Sequence, residues 1–259
     1  MQLKTLAIVL MLPLITLAGF TVTSELTHEY DADAGRVING SIKVQNKGTD
    51  PVKIMVYPKD YLFFSDGSND YADPGTIERS NAPWIRISPS QSTIDGKSEL
   101  RIDYVINVPD DITLDGSYWS MIMIEEAPNV DLDPKKGELA LAMNMRYGVQ
   151  VITNFGDERT PKIEFLNTEL VENEEEKKIL LDIENTGKIT TRSVVKVEVY
   201  DMEGNFVGLF EGDNKRTYPG TSVRLQCDLS QLKKGIYKAI IMADCGEENI
   251  FGANVKLEM

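Results

Sequence analysis

The chain has 259 residues, 42% hydrophobic and 26% charged, with a formal net charge of -14. That length holds one large domain or two ordinary ones. The negative balance excludes a phosphate backbone as partner, because nucleic-acid binding needs a positive footprint, and it disfavours anionic lipid headgroups; a cationic partner would suit it.

Residues 1–19 read as a secretory signal peptide. Lys4 supplies the positive end, residues 6–17 form an apolar run interrupted by Pro13 and Thr16, and Thr16-Leu17-Ala18 offers small residues for cleavage after Ala18 or Gly19. The run is shorter than the ~20 residues of a spanning helix. No cysteine follows it, which excludes the usual bacterial lipid-anchoring site. The expectation is a periplasmic or secreted protein with no membrane insertion after cleavage.

Short strands follow. Residues 21–30 read as the first and carry the only histidine, His28. Its default reading is a solvated strand histidine. Residues 36–46 alternate, and Asn46-Lys47-Gly48-Thr49-Asp50-Pro51 is a strong turn before a strand at 52–57. Residues 65–83, rich in Ser, Asp, Asn, Gly and Pro, read as a long surface loop. Strands at 84–89 and 100–108 follow. Residues 116–126 are almost continuously apolar, as in the middle strand of a sheet. Residues 127–138 form a polar loop.

Residues 139–151 alternate strictly. Leu139, Leu141, Met143, Met145, Tyr147, Val149 and Val151 fall on one face, with small or polar residues between them. Thirteen residues at ~3.3 Å each span roughly 43 Å, against about 17–20 Å for a usual strand. Tyr147, Val149 and Val151 therefore read as core of a first sandwich. Leu139 to Met145 either continue that core or present an apolar ladder to a partner. Arg146 is the only positive charge in the stretch.

A polar boundary at 154–161 precedes a second strand set at 162–170, 178–185, 193–200, 206–210, 223–227, 235–243 and 250–257, the last two as a hairpin. The halves resemble each other. Asn46-Lys47-Gly48 matches Asn185-Thr186-Gly187, and Leu114-Asp115-Gly116-Ser117-Tyr118 parallels Leu232-Lys233-Lys234-Gly235-Ile236-Tyr237. A Tyr early in the penultimate strand is what a tyrosine corner requires. The expected fold is all-β: two immunoglobulin-like β-sandwich domains in tandem after the signal peptide, at 20–155 and 160–259.

Little chemistry is visible. One histidine excludes His-rich metal sites, and no nucleophile elbow, phosphate loop or dinucleotide fingerprint occurs. The acidic residues Glu172, Glu174, Glu175 and Glu176, and Asp60, Asp66, Asp70 and Asp73 in or before the long loop, lack calcium-hand spacing and read as solvation and edge protection. Tyr57, Tyr61, Phe63, Phe64 and Tyr71 line either a ligand surface or loop packing. No catalytic residue, metal or cofactor is expected. Cys227 and Cys245 flank a strand about 27–30 Å long, whereas a disulfide needs Cα atoms within about 7 Å. Two free thiols are favoured, with a bridge across a folded-back turn as the alternative.

The arrangement resembles the PapD-like periplasmic chaperones: a signal peptide, two immunoglobulin-like domains, and an alternating strand closing the first. The resemblance covers nearly the whole mature chain at the level of architecture. It implies donation of that strand to an incomplete subunit, through Leu139, Leu141, Met143 and Met145. It also implies two basic anchors for a subunit's terminal carboxylate. Arg146 takes the place of the second. Residues 21–30 contain no Arg or Lys, so the first is missing unless Arg36 substitutes. The expected function is non-enzymatic, chaperone-like binding of surface or pilus subunits. The alternatives are a structural or adhesive surface protein binding a protein or wall polymer, and a hydrolase without a recognisable motif.

Overall fold

The structure, a computed structural model, describes residues 19–110, 113–127, 145–157, 160–173, 176–246 and 248–259. The first eleven strands are β1 (Phe20–Val22), β2 (Thr27–Asp31), β3 (Val37–Asn46), β4 (Val52–Lys59), β5 (Leu62–Phe63), β6 (Asn69–Asp70), β7 (Ile85–Ser88), β8 (Gln91–Ile94), β9 (Glu99–Asn107), β10 (Gly116–Glu126) and β11 (Arg146–Phe155). Seven more follow: β12 (Ile163–Glu172), β13 (Lys177–Asn185), β14 (Thr191–Tyr200), β15 (Phe206–Thr217), β16 (Ser222–Asp228), β17 (Ile236–Asp244) and β18 (Ile250–Glu258). The helical element among the described residues is a 3-10 turn at Ala82–Trp84.

Two sandwiches result. In the first, sheet β1-β3-β9-β7 faces sheet β2-β11-β10-β4-β8. In the second, sheet β12-β13-β16 faces sheet β15-β14-β17-β18. Period-two alternation fills both interiors. Ile42 and Val44 of β3 and Ile102, Tyr104 and Ile106 of β9 enter the first core; Ile179, Leu181 and Ile183 of β13 and Val195, Val197 and Val199 of β14 enter the second. Each such aliphatic side chain contributes about 1.5–3 kcal/mol by leaving water. β10 lies between β11 and β4 and is buried on both faces. Ile122 and Ile124 enter the core, while Trp119, Met121 and Met123 are covered from outside.

The repeated Asn-x-Gly turns share one geometry. Asn46 and Asn185 are fully buried at the ends of β3 and β13. Asn46 Nδ2 donates to the carbonyls of Asp50 (2.7 Å) and Ile94 (3.0 Å), and its Oδ1 accepts from Gly48 N (2.8 Å). Asn185 repeats the pattern with Ile189 O (2.7 Å), Thr217 O (3.3 Å) and Gly187 N (2.9 Å). The tyrosine corner of the second sandwich is formed by Tyr237, whose hydroxyl donates to Lys233 O at 3.0 Å. Cys227 and Cys245 are free thiols; burial pushes Cys227 up to about 11.

Four expectations need correction. Residues 21–30 are two strands, not one: β1 pairs with β3, and β2 crosses to the opposite sheet to pair in parallel with β11. The switch falls at Ser24, whose hydroxyl accepts from Lys43 N. Residues 65–83 do not form a simple surface loop. β6 pairs with β5, and the buried Asp60 carboxylate accepts from Thr76 N (2.7 Å), Ile77 N (3.0 Å) and Ser80 Oγ (2.5 Å). Asn81 then ties the segment to the sandwich through the carbonyls of Tyr118 and Val151. Strand β8 was not anticipated, and β15 runs on from Phe210 to Thr217.

Candidate partner-binding edge

β11 pairs with β10 along its whole length, from Arg146↔Glu125 to Phe155↔Gly116. On its other side β2 covers only Gln150 to Asn154, and Gln150 N donates to Leu26 O at 2.8 Å where that cover begins. Among the described residues, no strand pairs with Arg146 to Val149 on that side.

Val149 and Val151 are fully buried in the first core, and Tyr147 packs against it beside Phe20, ring centroids 5.3 Å apart. Met145 is half-buried, and its thioether accepts from Tyr147 OH at 3.2 Å. Gly148 leaves space filled by Met121, whose sulfur would lie 2.2 Å from an added Cβ. Leu139, Leu141 and Met143 lie outside the described residues.

Arg146 stands exposed at the start of β11 and is already paired. Its Nε and Nη2 each reach Glu125 Oε2 at 2.7 Å, and Tyr57 OH donates to the other Glu125 oxygen at 2.8 Å. Those contacts hold the guanidinium above its ordinary range. Arg36 lies at the opposite end of the strand pair: it donates to Asp31 O, and Asp31 faces Asn154. Eight residues of strand, roughly 26 Å, separate positions 146 and 154. Arg36 and Arg146 therefore do not converge on one carboxylate.

The other polar concentration joins the two sandwiches. Ser117 N donates to Lys188 O (2.8 Å), Ser117 Oγ donates to Asn154 Oδ1 (2.6 Å), and Thr190 N donates to Ser117 Oγ (2.7 Å). Lys188 pairs with Asp115 (2.5 Å) and Arg216 with Glu29 (2.8 Å). Gly116 has φ 67°, and an added Cβ would lie 2.1 Å from Lys188 O, so only glycine fits. Trp119, Ile152 and Tyr218 form the apolar centre, lined by Tyr61, Leu62, Phe63 and Ile77. Sequence reasoning missed this junction. Gly116-Ser117-Tyr118-Trp119 reads as a strand start and Tyr218-Pro219-Gly220 as a turn, and nothing in either string says that they meet.

The remaining candidates have structural work. His28 is half-buried rather than solvated, a correction to the sequence reading. Its Nδ1 is hydrogen-bonded to Tyr104 OH, which also bonds Tyr30 OH (2.8 Å). Burial lowers its pKa. Asp66 accepts from Ser68, Asp73 pairs with Lys59 at 2.7 Å, and Glu172 and Glu176 lie beside Lys177 and Lys178. Of the aromatic group, Tyr61 and Phe63 line the junction and Tyr71 packs on Tyr61. Among the described residues, no group of three or more His, Cys, Asp or Glu is placed to hold a metal ion.

Neither a protein-family model nor a curated protein matches the sequence. Solved structures match in fold. One is from the complex of Salmonella enterica SafA pilin with the SafB chaperone: 12% identity, TM-score 0.47, 93% of this chain and 98% of that chain covered. Another is from the CsuC–CsuE chaperone–tip adhesion subunit complex of Acinetobacter baumannii: 12% identity, TM-score 0.47, covering 92% and 98%. A third is from a chaperone–tip adhesin complex of CFA/I fimbriae: 14% identity, TM-score 0.49, covering 92% and 98%. These likenesses are of fold.

Proposed function

We propose that this chain is an exported, non-enzymatic, chaperone-like protein that binds surface or pilus subunits by strand addition along the first half of β11. In this reading a signal peptide at 1–19 is removed, a first domain at 20–155 carries the edge, a second domain at 160–259 supports it, and the mature protein works in the periplasm. One observation carries it. Among the described residues, β2 pairs with Gln150 to Asn154 and no strand pairs with Arg146 to Val149 on that side, directly after the alternating apolar residues Leu139, Leu141, Met143 and Met145. An added strand would gain main-chain hydrogen bonds along the edge and side-chain pockets at alternate positions.

Arg146 enters this reading as part of the edge, with its side chain engaged by Glu125. The test is capture from envelope extract with the tagged full chain and with the Leu141→Asp, Met143→Asp double variant. The reading expects a subunit partner recovered by the parent chain and lost with the double variant. Unchanged recovery would overturn it.

A further inference from the structure

A latch made of three side chains ties β2 to the opposite sheet of the first sandwich. Tyr104 of β9 is the register partner of Gly40 on β3. The Tyr104 ring occupies the place of the missing side chain: a Cβ added at Gly40 would lie 2.1 Å from Cζ and 2.3 Å from the hydroxyl. The ring therefore lies across β3, and its hydroxyl meets two side chains of β2, His28 at Nδ1 and Tyr30 at its hydroxyl (2.8 Å). β9 and β2 belong to facing sheets, and β2 is the outermost strand of its own.

The two halves of β2 are fastened differently. In the second half, Glu29 pairs with Arg216 (2.8 Å) and accepts from Asn154 Nδ2 (2.9 Å), and Ala32 N donates to Asn154 O (2.9 Å) just beyond the strand. The first half relies on less. Gln150 N donates to Leu26 O at 2.8 Å, Thr27 Oγ1 donates to Gln150 Oε1 at a long 3.3 Å, and the Leu26 side chain is exposed. His28, opposite Val151, is the inward anchor of residues 26–28.

That anchor is an imidazole, the side chain that changes charge near neutral pH. Neutral, its Nδ1 accepts from the Tyr104 hydroxyl, which in turn accepts from Tyr30. Protonated, Nδ1 becomes a donor, so both hydroxyls must turn and a charge must sit in a half-buried place beside the core. The groups around the ring do not offset this. Tyr104 is held above the tyrosine range by burial and stays a hydroxyl, Tyr30 contributes a second hydroxyl, and Val151 of β11 is apolar. Glu25 on the connector before β2 favours the charged ring, but burial is the larger effect. We propose that protonation of His28 releases residues 26–28 from β11, so that the part of β11 covered by β2 shrinks from Gln150–Asn154 to Ile152–Asn154 as pH falls, while residues 29–31 stay docked. The device belongs to the free chain and stands independently of any partner at the β11 edge.

Once released, the ring regains its ordinary affinity for a proton. Opening therefore grows as pH falls from the ordinary 6.5 toward the lower value of the latched ring, by up to about tenfold per pH unit within that window. The amides of Gln150 and Ala32 report the two ends of β2, since each donates across the β2–β11 seam. Residue-resolved hydrogen exchange by NMR on the mature full chain, at about pH 7.5 and about pH 5 and corrected for intrinsic exchange, reads both. Gln150 protection should fall severalfold relative to that of Ala32 at the lower pH. His28→Gln, which keeps an acceptor and does not titrate, should hold the ratio constant. Tyr104→Phe, which removes the hydroxyl that meets the ring, should lower Gln150 protection already at the upper pH. A constant ratio in the parent chain, the same fall in His28→Gln, or parallel loss at Gln150 and Ala32 would each overturn the proposal.

Discussion

The indole of Trp119 lies flat on the phenol of Tyr218, with ring centroids 4.8 Å apart and planes within 7° of parallel. The first residue belongs to β10 and the second to the turn that leaves β15, so this stack fastens one sandwich to the other. The indole N–H is also satisfied, donating to Tyr61 O at 2.8 Å. Trp119→Ala should cost about 3–5 kcal/mol. It should also loosen the coupling of the sandwiches, seen in calorimetry as a broadened or split transition. Tyr218→Phe should be tolerated to within about 1 kcal/mol, because the buried hydroxyl has no hydrogen-bond partner among the described residues.

The two buried asparagines make a paired prediction. Each amide satisfies two carbonyls and one backbone N–H of its own turn. Asn46→Ala and Asn185→Ala should each cost about 3 kcal/mol by orphaning those groups. The sites lie in different cores, so chemical denaturation of the double variant should give nearly the sum of the two losses.

His28 gives the fold a pH dependence of definite sign. Burial holds its imidazole below the ordinary 6.5, with Glu25 acting in the opposite direction. A base whose folded pKa is depressed contributes stability that is complete above its unfolded value and is lost as pH falls through its folded one. Urea midpoints measured on either side of that window should fall more for the parent chain than for His28→Gln. Equal falls would remove His28 as the source and leave the carboxylates responsible.

Arg146 should matter little to stability. Its pair with Glu125 is surface-exposed on the arginine side, and such pairs contribute about 0–1 kcal/mol. Arg146→Met should therefore shift the denaturation midpoint only slightly. Because the side chain is engaged by Glu125, the same change should reduce partner capture less than Leu141→Asp with Met143→Asp does.

Legibility in the sequence followed the periodicity. β10 was readable to its ends, because Gly116 and the acidic pair Glu125-Glu126 bound an apolar run. Val149 and Val151 were readable as core from alternation alone, as was most of the second sandwich. The matching Asn-x-Gly turns were visible as a repeat, and their shared hydrogen bonding gives that repeat a physical cause. What failed depends on which sheet a strand joins. The string from Thr21 to Tyr30 alternates weakly, and nothing local says that β1 and β2 pair with different strands. The segment around Asp60 and Asn81 looks solvated by composition, yet its polar side chains satisfy buried backbone groups. The Trp119–Tyr218 contact joins residues about a hundred positions apart and leaves no local trace.

In the proposed function, the partner strand adds to β11 at Arg146 to Val149, where no described strand pairs on the side away from β10. Hydrogen exchange on the full chain, alone and with its captured partner, tests it most directly. In the free chain, amides in 150–154 should be protected on both sides of the strand, and those in 146–149 that face away from β10 should exchange quickly. Partner binding should slow exchange in 146–149 and leave 150–154 unchanged. Full protection of 146–149 in the free chain, or no change there in the complex, would rule out strand addition at this edge.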